Sequence, residues 1–207
     1  MKYWILSILT LLIAGNAMAI EEPKYTVLEK EKPFELRAYA PKIIAETLVS
    51  GDLDDASSTG FRRIADYIFG NNTSVSGETE KMSMTAPVTM EASEKISMTA
   101  PVTMEEADGQ WRMHFVMPSQ YTLETLPKPN NPAISLREMP SQHYAVIRFS
   151  WFAGEEKVAK KAAELLAWMK SKNITPTGKA ELARYNPPWT PPFLRRNEVM
   201  ILYQMAD

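Results

Sequence analysis

An α+β domain made of two β-β-α-β-β halves is what this sequence predicts, and three observations carry that prediction. Short stretches of alternating apolar and polar residues, the strand period, are separated by Pro and Gly. Two longer stretches, one ending at Gly70 and one at Asn173, repeat their apolar residues at helical spacing instead. The window Phe34-Glu35-Leu36-Arg37-Ala38-Tyr39 is echoed by Ile134-Ser135-Leu136-Arg137-Glu138-Met139, and each is followed by a second strand, a helix and further strands. Neither half holds enough apolar surface to fold alone, so residues 20–207 are expected to form one domain.

The elements follow in order. Tyr25 to Lys30, Pro33 to Tyr39 and Ile43 to Val49 read as strands, broken by Pro41 and Gly51. Asp54, Asp55, Ser57 and Ser58 offer capping oxygens and negative charge to a helix start. Phe61, Ile64, Ala65 and Ile68 then form one stripe, and Gly70 sits where a helix-ending glycine belongs. Asn71 to Glu80 is a polar loop. Lys81 to Glu105 contains a near-perfect repeat, KMSMTAPVTME, the spacer ASE, and KISMTAPVTME. Each copy alternates in part and carries one proline, Pro87 or Pro101, that cannot donate to a ladder. The spacer Ala92-Ser93-Glu94 is short enough to pair the copies as a hairpin.

Trp111, Met113, Phe115 and Met117 share a strand face. His114, on the other parity, is expected to face solvent. Ser119 to Pro132 is a proline-rich connection, and Ile134 to Met139 and Tyr144 to Trp151 are strands. Glu155 to Lys172 is the clearest helix, with Val158, Ala162, Leu165, Leu166 and Met169 as its stripe and Asn173 and Pro176 as its stop. Ala180 to Tyr185 is a strand, the loop after it carries Trp189 and Phe193 among four prolines, and Val199 to Gln204 closes the chain.

Lys2, the apolar run Tyr3 to Ala14 and the small-x-small triplet Ala17-Met18-Ala19 have the form of a secretory signal peptide over residues 1–19. Cleavage is expected after Ala19, with the periplasm as destination and no membrane span remaining. The chain has no cysteine, which removes disulfides, zinc thiolates, thiol catalysis and a lipid anchor on Cys together. The net charge is −2, and loss of Lys2 makes the mature chain one unit more acidic. Without a basic field, nucleic acid is not an expected partner.

His114 and His143 do not stand at a metal-ligand spacing, and no nucleophile elbow or glycine-rich phosphate loop is present, so the reading is a binding protein and not an enzyme. Met82, Met84, Met90, Met98 and Met104 cluster in the repeat. Thioethers are soft donors for Cu(I), and they are equally common core filler. Trp151, Phe152, Tyr185, Trp189 and Phe193 gather near the end, followed at once by Arg195 and Arg196. Aromatic faces beside guanidiniums suit a flat apolar ligand with carboxylates, or a rim in which the arginines pair with Glu198.

KMSMTAPVTM and KISMTAPVTM, GFRRIADYIFG, FVMPSQYTLETLP and ARYNPPWTPPFLRRNEV together resemble the SOUL/haem-binding protein family, from about Tyr25 to Tyr203. The leader and the doubled MTAPV look like its exported bacterial branch. The resemblance implies a distorted β-barrel of two pseudo-repeated halves flanked by two α-helices. It also implies non-catalytic binding of haem, or a related tetrapyrrole or flat amphiphile, as a ligand and not a prosthetic group. Contact would be mainly hydrophobic and beside the first helix. Carried onto this chain, the wall comprises Phe61, Ile64, Ala65, Ile68, Met84, Met98, Trp189 and Phe193, with Arg62, Arg63, Arg195 and Arg196 near the acid groups. Basic positions of haem-binding members on and before that helix fall on Ser58 and Asp66 here. A small-ligand or protein-interaction module without haem, and Cu(I) handling, stand as the alternatives.

Overall fold

The structure, a computed structural model, describes residues 21–74, 96 and 98–205. Its elements are β1 (Tyr25–Glu31), β2 (Phe34–Tyr39), β3 (Lys42–Val49), α1 (Leu53–Ile68), β4 (Asn72–Thr73), β5 (Val102–Ala107) and β6 (Gln110–Val116). There follow β7 (Lys128–Pro129), β8 (Ser135–Met139), β9 (Gln142–Phe149), α2 (Glu155–Ser171), β10 (Pro176–Arg184), a 3-10 turn (Pro192–Leu194) and β11 (Asn197–Tyr203).

Nine strands form one antiparallel sheet in the order β1-β2-β9-β11-β10-β5-β6-β3-β8, and β4 pairs with β7 apart from it. Without β1, the order reads the same when the halves are exchanged: β2 for β8, β3 for β9, β5 for β10 and β6 for β11. The register obeys the same exchange, since Tyr39 faces Gln142 while Met139 faces Lys42, and Arg37 faces Tyr144 while Arg137 faces Ile44. The two echoed windows are therefore equivalent strands, and each pairs with the other half.

The sheet is curled and does not close into the expected barrel. Among the described residues, β1 and β8 are its two ends and no ladder joins them. β1 lies along the outer side of β2, where closure would have to occur. A bulge between Val27 and Glu29 and the charges of Glu29, Lys30 and Glu31 guard that edge.

Both helices pack on one sheet face, α1 against β3 and β6 and α2 against β9, β10 and β11. Ile64, Ile68, Met113, Phe115, Ile147, Leu165, Met169 and Val199 meet in that core. Asp52 caps α1 by accepting from the backbone N–H of Asp54 and Asp55, so the acidic pair lies inside the first turn. Gly60 is required by close approach, because a Cβ there would stand 2.8 Å from Met113 Sδ. On α2, Trp168 stacks on Phe34 with centroids 4.8 Å apart.

The opposite face is also enclosed, by the curl of the sheet itself. Arg37, His114, Tyr144, Glu181 and Glu198 are all buried there. This corrects the expected solvation of His114, which is only 4% exposed. Its parity was read rightly, but the sheet has no wet face at that point. Burial, with the charges of Lys42, Arg137 and Arg112, pushes the His114 imidazole down to about 3, so it is neutral.

The repeat also departs from expectation. The first copy, with Met82, Met84 and Met90, and its spacer lie outside the described residues. In the second copy, Val102 to Glu105 form part of β5, whose two sides are taken by β6 and β10. They are not available to a hairpin with the first copy. A two-residue turn at Asp108-Gly109, both at positive φ, joins β5 to β6 instead.

Candidate ligand-binding surface

β9 ends at Phe149, two residues before the expected Trp151, because the backbone of Trp151 turns to φ +77°. That left-handed conformation costs a bulky residue about 1–3 kcal/mol. Two hydrogen bonds hold it. The Trp151 N–H donates to the Pro192 carbonyl at 2.8 Å, and its own carbonyl accepts from the Asn197 side chain at 2.8 Å. The loop before α2 is thereby fastened to the proline-rich loop before β11.

The side chains of the joined loops point outward. Trp151 is 54% exposed, Phe152 60%, Trp189 82% and Phe193 62%. So much aromatic surface in one place is unusual on a folded chain and marks a contact surface. Arg195 lies over it, its guanidinium 5.1 Å from the centroid of Phe152. The guanidinium donates to the carbonyls of Thr190 and Pro188, which fix its position without cancelling its charge. Among the described residues Arg195 has no carboxylate partner.

Arg184 ties this surface to the first helix. It donates to Ser57 Oγ at 2.6 Å and to the Ala153 carbonyl at 3.0 Å, with Asp54 at 3.7 Å. Burial lowers its pKa, and the nearby Arg195 charge adds to that. One turn along α1, Phe61 is 38% exposed with its ring 5.6 Å from Phe115.

The expected site residues thus divide. Trp189, Phe193 and Phe61 are exposed, Arg195 is half-buried beside them, and Arg62 is exposed with Thr59 as a hydrogen-bond partner. Arg63 is engaged, donating to Thr47 Oγ1 at 2.7 Å and to the Leu48 carbonyl at 2.9 Å. Arg196 is engaged too, stacked 3.6 Å over Tyr185 and paired with Glu198 and Glu22. Ile64, Ala65 and Ile68 are buried, and Ile64 and Ile68 lie in the main core, so they support α1 from behind and present no ligand-facing wall. The same stripe that holds a helix to its core cannot also face a ligand. Met98 packs half-buried against the core and Met104 is inside it, so these thioethers are occupied by packing. Met84 lies outside the described residues. Sequence reasoning missed Arg184, whose signal was a guanidinium immediately before Tyr185.

The histidines are elsewhere. His114 is buried, and His143 rests against Tyr203 with centroids 5.7 Å apart at the far end of β9. Among the described residues no cluster of three or more His, Cys, Asp or Glu could hold a metal ion. Neither histidine therefore lies at the aromatic end.

Comparison with known proteins bears on both the fold and the site. A family model described as SOUL heme-binding protein matches residues 20–94 and 89–202. Human "Heme-binding protein 2" is 39% identical over 79 residues, 35% of this chain and 36% of that protein. The match thus spans about a third of that relative's length. Among solved structures, a hydrolase from Listeria innocua covers 86% of this chain and 94% of its own, with TM-score 0.56 and 12% identity. The EcmrR C-terminal domain covers 88% of this chain and 99% of its own, with TM-score 0.54 and 9% identity. At such identities the two likenesses speak for the fold alone.

Proposed function

Because the chain belongs to the SOUL heme-binding protein family, we propose that it binds haem or a related flat tetrapyrrole at the aromatic surface and does not transform it. The binding form is the mature protein in the periplasm, after removal of residues 1–19. The observation that carries the reading is the exposed set Trp151, Phe152, Trp189 and Phe193 with the Arg195 guanidinium, free of any described carboxylate, lying over Phe152. Rings take up the apolar macrocycle, and the guanidinium meets a propionate in a charge-assisted hydrogen bond.

Micromolar affinity needs about 8 kcal/mol, which four covered rings at about 1.5–3 kcal/mol each supply only when the association cost stays near its lower end, roughly 4 kcal/mol. The reading therefore relies on loops already fixed before binding, as the Trp151 and Arg195 hydrogen bonds fix them. Titration of haem into the mature protein tests this by a Soret shift and quenching of tryptophan fluorescence. A Trp189→Ala/Phe193→Ala variant should bind at least tenfold more weakly. Arg195→Ala should weaken haem but leave the dimethyl ester of haem unaffected, since the ester has no propionate charge. Absence of any spectral change at tens of micromolar would remove haem and favour a module for another small ligand or a protein. N-terminal sequencing of the periplasmic protein should begin at Ile20.

A further inference from the structure

The loop that carries Trp189 and Phe193 needs little from water. Pro187, Pro188, Pro191 and Pro192 have no N–H. Thr190, Leu194 and Arg195 donate their backbone N–H groups inside the loop, to the carbonyls of Pro187, Pro191 and Pro192 at 3.0, 2.9 and 3.2 Å. The carbonyls of Pro188 and Thr190 accept from the Arg195 guanidinium. A loop whose polar backbone is answered from within can leave water without stranding donors or acceptors, which is the condition for entering lipid.

Its side chains suit that setting. Leu194 is exposed beside Phe193 and adds an aliphatic group to the four rings. At about 200 Å² for a whole aromatic side chain, the exposed parts of Trp151, Phe152, Trp189, Phe193 and Leu194 amount to roughly 600 Å². That is the upper end for a patch on a monomer, and short of the roughly 800 Å² per partner that a standard protein interface buries. A bilayer needs no matching shape, and indole rings settle at its headgroup level. The charges beside the rings have both signs. Glu155 and Glu156 line one hollow with Trp151, Phe152 and Lys157, and Arg195 stands over Phe152. Two carboxylates against an ammonium and a guanidinium leave no net field, which matches a zwitterionic headgroup and not an anionic surface.

We propose that the aromatic surface is also a membrane-docking surface, and that its partner is a zwitterionic phospholipid bilayer. Trp189, Phe193 and Leu194 enter the headgroup layer, with Arg195 at the level of the phosphates. Docking is peripheral and is carried by apolar contact. The same rings cannot be covered by a macrocycle and by lipid together, so haem and bilayer are alternative occupants.

The test uses the mature protein without haem and sucrose-loaded phosphatidylcholine vesicles. The protein should sediment with the vesicles at millimolar lipid, and its tryptophan emission should shift to the blue. It should stay bound when NaCl is raised from about 0.1 to about 1 M, which shortens the Debye length from about 10 to about 3 Å. Trp189→Ala/Phe193→Ala changes only exposed side chains, so it should keep the fold and raise the lipid needed for half-binding by a factor of about ten or more. Protein left in the supernatant would overturn the proposal. So would binding only to anionic vesicles with release by salt, or a lipid-free dimer that the double variant abolishes while vesicles bind nothing. Haem titration in lipid-free solution decides the earlier reading separately. A protein that shifts the Soret band but ignores vesicles keeps the haem site and loses the docking surface, and the reverse pattern does the opposite.

Discussion

Arg37 and Arg137 occupy the same place in the two halves and live in opposite surroundings. Arg37 is buried and makes a two-pronged contact with the fully buried Glu198, at 2.8 and 3.1 Å. It also donates to Glu35 and to the Tyr39 hydroxyl and lies 4.5 Å over the ring of Tyr25. Glu198 accepts further from Tyr185 and Arg196, so every charge in the group is answered. In the other half the place of Glu198 is held by Arg112, since Glu198 faces Arg148 as Arg112 faces Leu48. There Arg137 and Arg112 share Glu46, Arg112 also takes Glu105, and Arg137 is 44% exposed. The difference teaches that the apolar register alone carries the twofold likeness. The polar groups filling the curl follow only local satisfaction of charge.

One substitution made at both places puts this to work. Arg37→Met leaves Glu198 buried without its main partner and should cost about 3–5 kcal/mol in urea unfolding. A second, smaller effect concerns the junction of the halves, where Glu181 faces Glu105 across the β10–β5 pair. Burial, then the charge of Glu105, raises the Glu181 carboxyl to about 7, against the opposing Tyr144 hydrogen bond and the charges of Lys42 and Arg137. A raised folded pKa gives stability that is complete below the unfolded value of 4.5 and is lost as pH rises through 7. Glu181→Gln should therefore match the parent near pH 4 and exceed it by on the order of 1–3 kcal/mol at pH 8. His114 is common to both proteins and cancels from the comparison. Third, Arg137→Met, the mirror of the first change, should cost less than about 1 kcal/mol because its pair is half in water. Equal costs for Arg37→Met and Arg137→Met would break the contrast between the halves. The smallest effect belongs to Trp189→Ala/Phe193→Ala, which should move stability by no more than about 0.5 kcal/mol while weakening ligand binding.

Much of the fold was legible because its signals are local. The two helices, Gly70 at φ +122°, and the echoed windows 34–39 and 134–139 each lie within a few residues of their cause, although on α2 the expected Leu166 is exposed and Trp168 packs into the core instead. The exchange of β2 and β8 between halves was not legible, since it depends on partners far along the chain. Nor was the burial of His114, because a period of two identifies two faces and does not say that both are covered. Asp108-Gly109 was a readable turn signal, overshadowed by the repeat before it. Trp189 and Phe193, singled out by composition and order, are exposed, and Arg195 is half-buried beside them. Ile64 and Ile68 were assigned to a wall because an apolar stripe looks the same whether a ligand or a core lies against it. Arg63 and Arg196 carry charge in the sequence that the fold spends on Leu48, Thr47, Glu22 and Glu198.

Amide hydrogen exchange of the mature protein with and without haem tests the central claim most directly, because it reads both ends of the molecule at once. The account predicts slowed exchange in residues 151–154 and 189–195, with residues 42–43 and 138–139 unchanged. Slowing confined to the Lys42 end, or haem bound with neither end protected, would contradict it.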